Sequence, residues 1–235
     1  MRLPRLSLIV PLAALALAAG SAAAPAWAAA SGTFTVTGSM STVRTNDTAT
    51  LLNNGEVLVA GGAFGGTPTL TSAELYNPAT GRFTATGSMD TGRRQSNAVT
   101  LQDGDVLVTS GISAGGPFAE LYHPATGTWS DAIGGLATCT AVQDCRFYSS
   151  ETLLANGSVL VAGGMTGLAS NPSTTKSAML YNPATNAWTA TGAMNTDRGQ
   201  QTATLLNNGQ VLVAGGISFH AHRATELASA ELYTP

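Results

Sequence analysis

One phrase occurs four times in the sequence, and this repetition limits the possible folds more than any single residue does. Each copy leads into a turn at a glycine and continues with a short apolar run: LLNNGEVLVAGG from Leu51, TLQDGDVLVTSG from Thr100, LLANGSVLVAGG from Leu153 and LLNNGQVLVAGG from Leu205. The turn glycines are separated by 49, 53 and 52 residues and are Gly55, Gly104, Gly157 and Gly209. A period of this length predicts a propeller or a solenoid.

Each repeat predicts four antiparallel strands. Asn-Gly or Asp-Gly between two apolar runs favours a hairpin with a type I′ turn, in which both central residues have positive φ. The VLVA run that follows is apolar at consecutive positions, as expected for a strand covered on both faces. AELYNPATG from Ala73 predicts a third strand that ends at proline, and FTAT from Phe83 predicts a fourth by its alternation. Four such strands make one propeller blade.

The sequence therefore predicts an all-β propeller of four blades, at residues 42–87, 91–131, 147–192 and 196–235. The last blade lacks a fourth strand of its own. Residues 33–38 read TFTVTG and closely match RFTATG at residues 82–87. We expect residues 33–38 to complete the last blade and to close the ring, because closure removes exposed sheet edges.

The N-terminus is predicted to be a secretory signal peptide. Arg2 and Arg5 precede an apolar stretch of residues 6–19, and small residues follow around Trp27. The stretch is shorter than the roughly 20 residues that a membrane-spanning helix needs. We expect residues 1–30 to be removed, with cleavage after Ala28 or Ala30, and residues 31–235 to form the propeller in the periplasm or outside the cell.

The composition of the remaining chain argues against two classes of partner. Loss of Arg2 and Arg5 leaves eight basic residues against 13 acidic ones, and Lys176 is the single lysine. An acidic chain with so little positive charge is expected to bind neither nucleic acid nor an anionic membrane. Hydrophobic residues make up 44% of the chain and recur in every repeat, which favours a packed core over disorder.

These repeats resemble the kelch repeat, in the bacterial secreted form similar to the central propeller of galactose oxidase. The resemblance covers the whole mature chain and rests on the Arg-x-x-x-x-Ala-Thr-Leu-Leu, Val-Leu-Val-Ala-Gly-Gly, Ala-Glu-Leu-Tyr-Asn-Pro and x-Trp-Thr patterns. It implies a propeller fold, although kelch rings usually have about six or seven blades within the range that propellers span. The chain can therefore be a closed ring of four or a partial ring that is complete only as an oligomer, such as a homodimer.

Loop positions predict the binding face. In a four-stranded meander, the short NNG and NPATG turns lie at one end, and the longer, variable connections lie at the other end with the segments between blades. Variable loops on a rigid scaffold are where binding usually occurs. We expect a glycan or a protein to bind there.

One arginine per repeat stands eleven residues before the turn glycine: Arg44, Arg93, Arg146 and Arg198. Guanidinium groups bind carboxylate and sulfate through paired hydrogen bonds, so these arginines are candidate binding residues for an anion. Alternatively, each arginine braces its own blade by bonding loop carbonyls or a repeat glutamate, namely Glu74, Glu120 or Glu231. Repetition in every blade favours the brace.

Cys139 and Cys145 are predicted to form a disulfide that closes a small loop, because the chain is expected to be exported. The galactose oxidase resemblance implies a copper site of two tyrosines, two histidines and a tyrosine-cysteine crosslink. Tyr122-His123 instead occupies the repeat position of Tyr76-Asn77, and the remaining histidines, His220 and His222, lie in one variable loop.

Catalytic motifs are missing from the sequence: it has no G-x-S-x-G, no H-E-x-x-H and no phosphate-binding glycine loop. We expect no cofactor, no metal and no catalytic residue, and therefore a secreted binding module. The alternative is a carbohydrate-active kelch enzyme, such as a sugar oxidase or a sugar mutarotase.

Overall fold

A computed structural model describes residues 32–65, 68–113, 117–132, 146–167, 172–220 and 223–235. The predicted signal peptide, Cys139, Cys145 and His222 lie outside these residues, so the cleavage site and the disulfide stay predictions. The described part of the chain is all-β, and it has no helix long and apolar enough to cross a membrane. Residues Thr37–Pro235 form one compact unit.

Four antiparallel sheets follow one another along the chain, as the repeats predict. The first contains β1 (Thr48–Leu51), β2 (Val57–Ala60), β3 (Ala73–Asn77) and β4 (Arg82–Ala85). Strand β5 (Arg93–Arg94) precedes the second sheet, which contains β6 (Asn97–Thr100), β7 (Val106–Thr109), β9 (Ala119–His123) and β10 (Thr128–Asp131), with β8 (Ile112–Ser113) between β7 and β9.

The third sheet contains β11 (Ser150–Leu153), β12 (Val159–Ala162), β15 (Ala178–Asn182) and β16 (Ala187–Thr191), with β13 (Met165–Thr166) and β14 (Ser173–Thr174) in its long loop. The fourth contains β17 (Thr202–Leu205), β18 (Val211–Ala214) and β21 (Ala230–Tyr233), with β19 (Ile217–His220) and β20 (Arg223–Glu226) in its loop. In every sheet the strands lie side by side in chain order.

The tight turns differ from the predicted type I′ geometry. Leu52 N–H donates to Glu56 O at 2.8 Å, and Gly55 N–H donates to Leu52 O at 2.9 Å, so the loop has three residues. Gly55 has a φ of 85°, whereas Asn54 is not among the residues of positive φ. This is the three-residue hairpin with a glycine bulge, because only the glycine needs the left-handed conformation.

The second strand of each sheet is buried, as predicted, where sheets lie on both sides of it. Strands β7 and β12 are buried at all four residues. The leucine of one sheet faces two valines and a tyrosine of the next: Leu58 packs in a cluster with Val106, Val108 and Tyr122. Leu107 packs likewise with Val159, Val161 and Tyr181, and Leu160 with Val211, Val213 and Tyr233. Each sheet therefore has a leucine face and a valine–tyrosine face.

Aromatic side chains also join neighbouring sheets through their polar atoms. The Trp129 indole N–H donates to Gly87 O at 2.8 Å, and the Trp188 indole N–H donates to Ala132 O at 2.8 Å. Within the second sheet, the Tyr122 ring packs at a tilt on Trp129, with 5.1 Å between ring centroids, and so holds the indole in place. Because a buried indole or phenol keeps a hydrogen-bond partner, these contacts fix how adjacent sheets are aligned.

The predicted closure of the ring is not confirmed. The fourth sheet has three strands in the described residues, and residues 32–40 contain no strand. Residues 37–38 are instead held at the first sheet. Gly38 N–H donates to Gly81 O at 2.8 Å, and Thr37 Oγ1 lies 2.8 Å from Tyr76 Oη.

The same two bonds recur one repeat later. Gly87 N–H donates to Gly127 O at 3.0 Å, and Thr86 Oγ1 lies 2.8 Å from Tyr122 Oη. Thr86 and Gly87 directly follow β4, the outer strand of the first sheet. Residues 37–38 thus occupy the place where the outer strand of a preceding sheet would end.

Replacement of the turn glycine in the fourth sheet tests the turn geometry. Gly209 has a φ of 85°, and a Cβ there would meet no atom within 4 Å, so Gly209→Ala imposes only conformational strain. We expect a loss of about 1 to 2 kcal/mol in the free energy of unfolding, measured by urea denaturation. Asn207→Ala is the control and should change it by less than about 0.5 kcal/mol. Equal losses would contradict a loop in which only the glycine is left-handed.

Candidate binding site

Segments between sheets and the long loops after the second strands meet at one end of the sheets. In the first repeat, Thr45 and Ala63 exchange backbone hydrogen bonds of 2.9 Å, and Ala63 also bridges to Thr69. Strands β5 and β8 form the equivalent ladder in the second repeat. The variable-loop end is therefore built from paired backbone, as a rigid scaffold for binding requires.

A polar pocket of about 290 Å³ opens at this end, and all four repeats contribute to it. Its lining residues are Asn46, Asp47, Gln95, Ser96, Asn97, Tyr148, Ser149, Gln200 and Gln201. They lie just before or at the start of β1, β6, β11 and β17, the first strands of the four sheets. Clefts at the opposite end lie between the short turns, and the one that includes Gln102 and Asn182 draws on two sheets only.

Four of the lining residues adopt a left-handed backbone conformation that non-glycine residues rarely adopt. Asn46, Gln95, Tyr148 and Gln200 have φ values of 58°, 55°, 54° and 59°. Backbone hydrogen bonds join them in pairs, from Gln95 N–H to Asn46 O at 3.0 Å and from Gln200 N–H to Tyr148 O at 2.9 Å. Such strained residues persist only where the surrounding structure fixes them, and they cluster at functional sites.

Several buried polar atoms around the pocket have no hydrogen-bond partner in the described structure: Gln95 Oε1, Ser96 Oγ and Gln201 Oε1. Gln201 is only 8% exposed, and its amide nitrogen donates to Ala162 O at 2.8 Å. Asn97 Nδ2 donates to Ser149 O at 2.9 Å. The wall of the pocket thus contains amides that are fixed in place and buried polar atoms whose hydrogen bonds are unmade.

Sequence reasoning missed this pocket. The four left-handed residues each follow a repeat arginine by two positions, and that constant offset was the available signal. It gives no hint of positive φ, because glutamine and tyrosine favour other conformations.

The predicted arginines lie beneath this end, and three of them are almost fully buried. Arg44, Arg93 and Arg198 are 7%, 1% and 0% exposed. Each binds a repeat glutamate: Arg44 Nη2 with Glu74 at 3.0 Å, Arg93 Nη2 with Glu120 at 2.7 Å, and Arg198 Nη2 with Glu231 at 2.9 Å. Their Nη1 atoms donate to loop carbonyls, such as those of Gly61 and Ser72 for Arg44.

This is the geometry that the bracing interpretation predicts. Glu74 also accepts hydrogen bonds from the N–H groups of Ser41 and Thr42, at 2.8 and 3.1 Å, so the pair fixes the segment between sheets. Burial alone would raise the pKa of Glu74, but the bonds from Ser41, Arg44 and Thr42 hold that pKa below its ordinary value. Anion binding by the four arginines stays a prediction.

The third repeat departs from this pattern. Met179 stands where the other repeats have glutamate, and Arg146 donates to Ser177 Oγ at 2.6 Å. Within the described residues, Arg146 contacts no carboxylate. Burial lowers the pKa of Arg146 to about 10, which leaves the guanidinium charged at neutral pH.

A buried carboxyl group lies on the innermost strand of the third sheet. Glu151 Oε2 accepts a hydrogen bond from Thr109 Oγ1 at 3.2 Å, and Glu151 Oε1 has no partner in the described structure. Burial raises the pKa of Glu151 to about 8, although the bond from Thr109 opposes this. Glu151 is therefore mostly protonated at neutral pH.

The described histidines bind carboxylates. His123 Nδ1 lies 2.7 Å from Asp105 Oδ2 at the turn end of the second sheet, and His220 Nε2 lies 2.9 Å from Asp197 Oδ1. Asp90, Glu120 and Asp131 bring oxygens within 4.8 Å of one another, as a metal site would. Of the three, Glu120 already binds Arg93 at 2.7 Å.

No protein-family model matches the chain, and no curated protein matches it.

Removal of a bracing arginine tests its role. Arg93→Ala would leave Glu120 buried without a counter-charge, so we expect it to lower the free energy of unfolding by about 3 to 5 kcal/mol. Exposed Arg82 provides the control, and Arg82→Ala should cost less than about 0.5 kcal/mol in the same urea titration. Unchanged stability of Arg93→Ala together with lost sulfate binding would favour the anion site instead.

The raised pKa of Glu151 predicts a pH-dependent stability. A carboxyl with a raised folded-state pKa stabilises the protein below its unfolded pKa, and this contribution is lost as pH rises through about 8. Glu151→Gln should therefore gain about 2 to 3 kcal/mol relative to the wild type between pH 6 and pH 9. Glu226→Gln, at an exposed position, is the control for thermal unfolding at both pH values. Parallel pH profiles for wild type and Glu151→Gln would refute the assignment.

Proposed function

We propose that this protein is a secreted, non-catalytic binding module of kelch type that recognises a glycan at the polar pocket of its variable-loop end. The observation that carries the proposal is the convergence of four repeats on one pocket through four left-handed residues. Contacts between repeats hold these residues in place, and strained residues of this kind, which cost on the order of 1 kcal/mol each, cluster at functional sites.

The chemistry of the pocket favours a neutral, hydroxyl-rich ligand. Amides and hydroxyls dominate its lining, and Asp47 is its single ionisable side chain apart from the Tyr148 phenol. Amides both donate and accept hydrogen bonds, as do sugar hydroxyls. Tyr148 adds an aromatic ring, whose apolar body and polar tip suit the mixed surface of a sugar.

Rigidity of the pocket supports binding as well. The segment before each first strand is held by backbone bonds at the pocket, and three of the four are also held by an arginine–glutamate pair. A ligand that binds prearranged donors and acceptors loses less free energy to ordering of the protein. The brace beneath the pocket thus contributes to binding without contacting the ligand.

A variant that removes one amide and keeps the backbone tests the proposal. Gln200→Gly suits the observed φ of 59° and deletes an exposed side chain from the pocket. A glycan array on the mature protein identifies the ligand, and titration calorimetry should then show about tenfold weaker binding by Gln200→Gly.

Asn186→Gly is the matched control, because Asn186 also has positive φ and lies at the turn end of the third sheet. It should bind as the wild type does. An array with no bound glycan, or equal affinity for both variants, would contradict the proposed site, and sugar turnover by the purified protein would favour the enzyme alternative.

A further inference from the structure

In the part of the chain that the structure describes, the first and the fourth sheet each have a face that no other sheet covers. Leu212 is 36% exposed, whereas its counterparts Leu58, Leu107 and Leu160 are 1%, 0% and 1% exposed. Leu232 is 56% exposed, whereas its counterpart Leu121 is 8% exposed. The fourth sheet thus has the same leucines as the other sheets, but no sheet among the described residues packs against them.

The opposite face of the first sheet is partly open, although Val59 on that face is 6% exposed. Val57 and Tyr76 are only partly buried, while their counterparts Val106 and Tyr122 are both 0% exposed. First strands contact one another in the order β1, β6, β11 and β17, and the described strands show no such packing between β17 and β1. Between successive sheets, leucines pack on the valine–tyrosine face of the next sheet. The surface that can pack in this way on the leucines of the fourth sheet is the valine–tyrosine face of a first sheet.

The free edge of the fourth sheet has a matching strand in the chain. Strand β21 pairs with β18 on one side, and none of the described strands pairs with its other side. The equivalent side of β3 pairs with β4, in the register Leu75 with Thr84 and Tyr76 with Phe83. Residues 33–36 read TFTV and share the central Phe-Thr of the β4 sequence RFTA, and Phe34 and Val36 are fully exposed.

We propose that two copies of this chain join head to tail into one ring, in which residues 33–36 of each copy pair with β21 of the other. Residues 37–38 already lie where the outer strand of a preceding sheet would end, and that sheet is the fourth sheet of the second copy. By the register of the first sheet, Thr35 lies opposite Leu232 and Phe34 lies opposite Tyr233.

Geometry and symmetry favour a second copy over closure within one chain. In one chain, the packing between successive sheets does not bring the fourth sheet against the first, and the leucines of the fourth sheet stay exposed. A two-fold pair makes both contacts at once and leaves no free edge. The ring then has about eight sheets, at the upper end of the range for propellers. This inference is independent of the glycan proposal.

Paired cysteines test both the contact and its origin. We expect the variant that combines Thr35→Cys with Leu232→Cys to form, under oxidation, a disulfide between chains that runs at twice the chain mass on a non-reducing gel. Val36→Cys with Leu232→Cys is the control, because Val36 points to the other face of the strand, and it should crosslink far less. A disulfide within one chain would overturn the proposal in favour of a closed ring of four, and no crosslink would overturn it altogether.

Light scattering on the mature protein provides a second, independent measurement. Wild type should show twice the mass of one chain, and Leu212→Glu or Leu232→Glu should raise the dissociation constant of the pair at least tenfold, because each leucine is buried on association. Phe64→Glu controls for loss of an exposed apolar group, since Phe64 is 61% exposed in a loop of the first sheet. A wild-type monomer, or equal effects of Phe64→Glu and Leu232→Glu, would contradict the proposed pair.

Discussion

The structure depends on the burial of each sheet's second strand between two neighbouring sheets. A four-stranded sheet of about twenty residues has little core of its own, and VLVA buries its side chains only between two neighbouring sheets. The alternation places leucine toward the next sheet and valine toward the preceding one, so each interface joins unlike surfaces. Such an array grows in one direction and leaves a different face open at each end.

The hydrogen bonds of the arginine–glutamate pairs make the variable-loop end of the sheets rigid. Each pair ties the segment that enters a sheet to the third strand of that sheet and to the carbonyls of the long loop. Because these charges are buried, they act through geometry more than through net stability. In the third repeat Met179 replaces the glutamate, and Arg146 keeps the bond to a serine hydroxyl that Arg44 and Arg198 also make. The pocket residues are thereby fixed by groups that a ligand need not touch.

Much of the fold could be predicted because its signals are local and repeated. The glycine turns, the apolar VLVA runs and the proline-ended third strands place the strands of all four sheets, and the pairing of arginine with Glu74, Glu120 and Glu231 was one of the two alternatives. The type I′ turn was wrong because Asn-Gly fits the longer hairpin with a bulge equally well.

The pocket could not be predicted, since its left-handed residues have no glycine to mark them and their conformation is imposed by contacts between repeats. The last sheet shows the same limit. Residues 33–38 match an outer strand in sequence, but sequence identity does not specify which sheet, or which copy, they join. Their hydrogen bonds to the first sheet fix one end of the segment, and this information is available only from the structure.

Hydrogen exchange tests most directly whether neighbouring sheets stabilise each second strand. Strands β12 and β18 both read VLVA, so the amides of their last three residues have the same intrinsic exchange chemistry and differ only in their surroundings. In single chains, we expect the amides of β12, covered on both faces, to exchange far more slowly than those of β18, which is covered on one. Equal protection of β12 and β18 in single chains would contradict the account.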